Sequence, residues 1–118
     1  MDTGAQGILA EFHAAGLMEK KGYTILDMNV NYPKLGELDV VCKKGNTLVI
    51  VEVKYRSTKD MGDPIESVTK SKIRKILKAT EKYIFENHLE NMVVRFDIIA
   101  DRDGLQEHIE DAFYGYWN

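Results

Sequence analysis

The sequence predicts a mixed α/β fold, a β-sheet flanked by helices in the order α-β-β-β-α-β. Two observations carry that expectation. Apolar residues recur at helical spacing near the N-terminus and again later, where Ile73, Ile76, Leu77, Thr80, Tyr83 and Ile84 make one clean stripe. Between and after those stretches come short runs rich in Val, Ile, Leu and Tyr, punctuated by Gly, Pro and Asn. Segments ordered in this way build a sheet covered by helices. At 118 residues the chain is expected to form a single domain over 1–118.

The first helix is expected over about residues 5–21. Ile8, Leu9, Phe12 and Ala15 share a face and are expected to meet the core, with Glu11 at the edge of their stripe. Thr3 is a candidate cap and Gly22 a stop. Residues 23–30 read as a strand and Tyr32-Pro33-Lys34-Leu35-Gly36 as a loop. Strands over 37–42 and 47–55 are expected to form a hairpin through Lys43-Lys44-Gly45-Asn46. The second of these is apolar on both faces from 48 to 53, which suits a central strand. After a polar loop over 56–63, Pro64 and Glu66 open a helix running to about residue 87. A fourth strand follows over 92–100. Residues 105–118 are ambiguous, with room for a short strand before an aromatic end of Phe113, Tyr114, Tyr116 and Trp117. That cluster suits core or dimer packing better than base stacking.

With 44% hydrophobic and 30% charged residues, the composition is that of an ordinary globular chain. The one cysteine, Cys42, lies in an apolar run and reads as a buried small hydrophobe in a reducing compartment. No stretch approaches the roughly 18 apolar residues of a membrane span, and no signal peptide is legible, so a cytoplasmic location is expected. The net charge of −3 hides an asymmetry: residues 54–82 carry a local +5 and the rest −8. A positive segment in an acidic chain is a candidate phosphate-facing surface, although a lysine-rich helix is commonly no more than a solvated face.

The informative feature is a conflict inside a core strand. In Val49-Ile50-Val51-Glu52-Val53-Lys54, period-2 geometry puts Glu52 and Lys54 on one face while Val49, Val51 and Val53 fill the other. Burying such charges is costly unless they are paired or bind a metal. Asp39 intrudes similarly, thirteen residues earlier, in Leu38-Asp39-Val40-Val41. A hairpin through Lys44-Gly45 brings Asp39 and Glu52 near each other, where they repel unless a divalent cation lies between them. Carboxylate oxygens with open water positions suit Mg²⁺ or Mn²⁺. Such an ion lowers the pKa of a bound water and neutralises charge on a phosphate, and a neighbouring lysine stabilises the developing oxyanion. An isolated Glu-Val-Lys is common by chance; the buried strand and the upstream aspartate give it weight.

These residues also sit in a wider ordered set. It comprises Gly7 with Ala10-Glu11, Gly22-Tyr23 with Leu26 and Asn29, Gly36-Glu37-Leu38-Asp39, and Val51-Glu52-Val53-Lys54 with Arg56. It continues through Gly62-Asp63-Pro64 with Glu66, Val68 and Lys72, then Arg95-Phe96-Asp97, and His108-Ile109 with Ala112-Phe113. The set resembles the YraN-like family of small bacterial proteins, itself similar to the PD-(D/E)XK nuclease superfamily and the archaeal Holliday junction resolvases. The resemblance implies a restriction-endonuclease-like core, with Asp39 and Glu52 as metal ligands, Lys54 as the catalytic lysine and Glu11 as the helix-borne acid completing the metal site. Ala10, Asn31 and Met61 depart from the pattern, in place of a glycine, a basic residue and an aromatic one; none is a core site position.

The leading expectation is a Mg²⁺- or Mn²⁺-dependent nuclease acting on DNA, branched or single-stranded. Arg56, Lys70, Lys72, Arg74 and Lys75 are its candidate phosphate contacts. So small a surface favours structure-selective or nonspecific binding, often through a homodimer. A nucleic-acid-binding module of the same fold with little or no cleavage is the alternative, and a protein-interaction subunit using the acidic surface and aromatic tail is the third reading. Glu37 is either a supporting acid or a solvated turn residue. Arg95 and Asp97, on one strand face, suit a structural ion pair. His13, His88 and His108 lack metal-ligand spacing, and no serine or cysteine triad is supported.

Overall fold

The computed structural model describes residues 3–56 and 68–113. The chain runs α1 (Thr3–Lys20), β1 (Thr24–Tyr32), β2 (Gly36–Lys44), β3 (Thr47–Arg56), α2 (Lys70–Glu86), β4 (Val93–Arg102) and β5 (Leu105–Ile109). One five-stranded sheet has the order β1-β2-β3-β4-β5. Only β3 and β4 are parallel, joined by the crossover that contains α2; the other neighbours are antiparallel. The fold is therefore mixed α/β with β3 central, as its two-sided apolar run requires. The observed order adds a strand to the expected one: β5 folds back on β4, with Arg102 paired to Leu105 across Asp103-Gly104, both at positive φ.

Alternation along β3 sorts the core into two layers. Leu48 and Ile50 point to the face covered by α2 and pack with Ile76, Leu77, Ala79, Tyr83 and Phe96. Val49 and Val51 point to the other face, where α1 lays Ala14, Ala15 and Met18 against them. Cys42 is buried in that second layer, as expected, and burial pushes its thiol pKa up to about 12.

Two expectations about the helices need correction. The stripe of α1 that meets the sheet is Ala10, Ala14, Ala15 and Met18, whereas Ile8, Leu9 and Phe12 are 53%, 54% and 61% exposed. Small side chains win because they let the helix lie close on the valine-rich sheet. Glu11 still borders the buried face, one residue from Ala10 and three from Ala14. Helix α2 begins at Lys70: Thr69 is extended (φ −73°, ψ 161°) and its hydroxyl accepts the Lys72 amide at 3.1 Å, an N-cap. Pro64 and Glu66, expected to open this helix, lie outside the described residues. The stop at Gly22 is as expected: at φ +94° it ends α1, with the Tyr23 amide bonded to the Met18 carbonyl and that of Gly22 to Glu19. Among the described residues no helix is long and apolar enough to cross a membrane.

Candidate active site

On the α2-facing side of β3 the row Leu48, Ile50, Glu52, Lys54 changes from apolar to charged as it passes the N-terminal turn of α2. Strands β2 and β3 pair as far as Val40↔Val51. The next residue of β2, Asp39, turns its carboxylate to the β3 backbone and accepts the Val53 amide through Oδ2 at 2.8 Å. A strand alternates strictly, so Leu38 and Val40 should share a face, yet Leu38 packs under α2 and Val40 under α1. The break falls at Asp39, between the pairs Met28↔Val40 and Val30↔Leu38. Asn29, on β1 between the same pairs, has φ +53°, a conformation that asparagine tolerates better than most residues.

Three carboxylates influence one another here. Burial raises the pKa of Asp39 to about 8, helped by the charge of Glu52, against the Val53 hydrogen bond. Glu11 reaches in from α1. Burial raises its pKa, Glu52 and Glu37 push the same way, and Asn29 and Asp39 oppose them. Its Oε1 is buried and has no hydrogen-bond partner. Glu52 is 5% exposed and takes two ammonium groups at Oε1: Lys72 Nζ at 2.8 Å and Lys54 Nζ at 3.8 Å. Burial and the adjacent Lys72 depress the Lys54 pKa against the pull of Glu52. Lys72 is desolvated too, but Glu52 outweighs this and its pKa is raised.

Asp39, Glu52 and Lys72 open into a groove of about 500 Å³ between the β1–β2 loop and the first turns of α2, which Lys34 and Lys75 also line. The structure thus brings Glu11, Asp39, Glu52 and Lys54 into one electrostatic neighbourhood, with Lys72 added. Lys75 lies along the groove, whereas Arg56, Lys70 and Arg74 are not in its lining. Arg56 pairs in register with Arg102 at the end of β3. The sequence signal for Lys34 was its place in a Pro-Lys-Leu-Gly turn before Asp39, which reads as no more than a loop.

As they stand, no three His, Cys, Asp or Glu side chains among the described residues are close enough to hold a metal ion. The donor set nonetheless fits a hard divalent cation by its chemistry: three carboxylates, one of them Glu11 with a buried oxygen lacking any partner, and burial disfavours the ionised forms of Glu11 and Asp39.

Residues 10–100 match the model of the family described as "Uncharacterised protein family UPF0102". A UPF0102 protein of Flavobacterium psychrophilum is 42% identical over 114 residues, covering 93% of this chain and 94% of the relative. One of Clostridium beijerinckii is 44% identical over 114 residues, 91% of each chain. The chain belongs to the UPF0102 family. The YraN-like resemblance read from the ordered residues is this membership. In this UPF0102 chain Arg95, His13 and His108 each face a buried aspartate. Arg95 pairs with Asp97 at 2.8 Å, as their shared strand face suggested. His13 lies 3.2 Å from Asp101, and His108 lies 2.7 Å from Asp97. Phe113 stacks on Phe96 in the α2 layer at 5.2 Å, a core contact; Tyr114, Tyr116 and Trp117 lie outside the described residues.

Proposed function

We propose that this UPF0102 chain is a metal-dependent nuclease with a restriction-endonuclease-like core, hydrolysing phosphodiester bonds in DNA. The observation that carries the reading is that Asp39 from β2 and Glu52 from β3 line a lysine-bearing groove, with Lys54 3.8 Å from Glu52 and Glu11 of α1 within electrostatic reach of both acids. Burying so many charges is costly and contributes nothing to folding that apolar residues would not supply better.

Glu11, Asp39 and Glu52 are the residues that would hold a Mg²⁺ or Mn²⁺ ion. Bound there, the ion supplies a water of lowered pKa and a counter-charge for the phosphate. The protein's own contribution is positional. The Val53 amide fixes the Asp39 carboxylate, and the β3 pleat keeps Lys54 beside Glu52, where its ammonium can donate to a phosphate oxygen or to the attacking water. Lys34 and Lys75 line the groove as backbone contacts without sequence readout, so the substrate is DNA selected by shape, branched or single-stranded.

The test is a panel of single-stranded, duplex, flapped and four-way DNA substrates with Mg²⁺ or Mn²⁺, run on the wild type, Asp39→Ala and Lys54→Ala. Cleavage that needs the metal and is lost in both variants is the expected result. Equal cleavage by all three proteins would place the activity elsewhere. A second reading is a nucleic-acid-binding module of the same fold that does not cleave; it is favoured by Lys72 standing on Glu52 where a cation would bind. DNA binding without cleavage on every substrate would select it.

A further inference from the structure

We propose that Lys72 is a tethered counter-ion: it holds the place of the divalent cation on Glu52, yields that place when an ion binds, and turns its ammonium to a phosphate in the groove. The proposal rests on the nuclease reading and adds a linkage between metal loading and nucleic-acid binding.

Geometry separates Lys72 from the lysine that the strand pattern points to. Its Nζ lies 2.8 Å from Glu52 Oε1, against 3.8 Å for Lys54. Glu52 is nearly sealed from water and depends on these two ammonium groups for compensation. Lys72 comes from another element, and that element is fixed in place. The Thr69 cap sets the first turn of α2. One turn on, the backbone of Gly36 packs so closely that an added Cβ would lie 2.5 Å from the Lys75 carbonyl oxygen. The turn is anchored while the lysine side chain, 44% exposed, keeps a route back into the groove.

A hard cation sits about 2.1 Å from a carboxylate oxygen, inside the shell in which Lys72 now donates to Oε1. An ammonium and a divalent ion on one oxygen repel, so binding the ion expels Lys72. The expelled ammonium joins Lys34 and Lys75 along the groove and raises its attraction for phosphate. Metal and nucleic acid then assist each other through a single side chain, by the same factor in either direction.

Calorimetric titration of the full chain with Mn²⁺, without nucleic acid, tests the first half. Lys72→Met should tighten Mn²⁺ binding about tenfold, within the usual range of coupling between sites. Lys72→Arg, which keeps the charge, and Lys75→Met, which removes a groove charge elsewhere, should stay near the wild type. Lys72→Gln replaces Lys72→Met should the latter melt early. Unchanged or weaker Mn²⁺ binding in the charge-removing variant overturns the proposal and leaves the metal site standing. No Mn²⁺ binding in any folded variant overturns the proposal and the nuclease reading together. For the second half, fluorescence anisotropy follows a labelled single-stranded DNA with and without Ca²⁺. Ca²⁺ should tighten binding more in the wild type than in Lys72→Met; equal tightening overturns the linkage.

Discussion

Asp39 has two tasks that pull against each other. Its Oδ2 takes the Val53 amide, which would otherwise lack a partner where β2 parts from β3, and its charge is disfavoured by burial and by Glu52. Two substitutions separate these tasks. Asp39→Asn keeps an oxygen for the Val53 amide and removes the ionisable group, so its urea midpoint should equal or exceed that of the wild type. Asp39→Ala orphans the amide and should lose about 1–3 kcal/mol. Both should abolish metal-dependent cleavage, and equal stability of the two variants would show that the Val53 bond contributes nothing. At this scale the sequence was legible wherever charge contradicted burial, as at Asp39, Glu52 and Lys54. Lys72 was legible as a member of the family pattern and a candidate phosphate contact, but not as a partner of Glu52. Its partner lies twenty positions away across a crossover, and no periodicity links them.

The two helices show why elements were easier to read than their faces. The most hydrophobic residues of α1 suggested a stripe through Ile8, Leu9 and Phe12, but closeness to the sheet selected Ala10, Ala14 and Met18. Alanine carries little hydrophobic weight in a sequence pattern, yet it is what allows a helix to approach a flat layer of valines. Ala14→Leu should therefore overpack the α1 layer and cost about 1–3 kcal/mol. Phe12→Ser should stay within about 0.5 kcal/mol of the wild type in the same chemical melts, as exposed positions do. A larger loss at Phe12 than at Ala14 would reverse the assignment of faces. Helix α2 was read correctly along its stripe and wrongly at its start. Proline and glutamate are common helix openers, and a threonine further on bonded the amide instead. Thr69→Ala should cost about 1 kcal/mol and, by loosening the first turn, weaken the hold of Lys72 on Glu52.

Across the whole molecule a second charged cluster, one strand over from Glu52, clamps the chain: Asp97 on β4 pairs in register with Val51 on β3. The clamp centres on Asp97, which is fully buried. Its carboxylate accepts from Arg95 at 2.8 and 2.9 Å, from the Asp111 amide at 3.0 Å and from His108 Nε2 at 2.7 Å. Arg95 also donates to the Tyr23 hydroxyl, and Lys21 to His108 Nδ1, so the α1–β1 junction, β4, β5 and the turn after β5 share one network. Lys21 can only donate; Nδ1 is therefore the acceptor and Nε2 carries the proton given to Asp97. The Arg95–Asp97 pair was legible from its strand face, whereas His108 lay in the one segment whose structure the pattern left open. Burial alone would raise the Asp97 pKa, but Arg95, the Asp111 amide and His108 outweigh it and hold the carboxyl below its ordinary range. Folding thus favours the ionised form. The stabilisation is complete above the unfolded carboxylate value of about 3.9 and is lost as the pH falls through the lower folded value. Asp97→Asn should cost about 3–5 kcal/mol at neutral pH, because it leaves Arg95 facing no counter-charge. It should also flatten the acid limb of the stability profile. Urea melts of both proteins from neutral pH down to about pH 3 decide the point: the wild type should lose stability more steeply than the variant over the last unit, and parallel limbs would mean that Asp97 is not the group whose protonation opens the clamp.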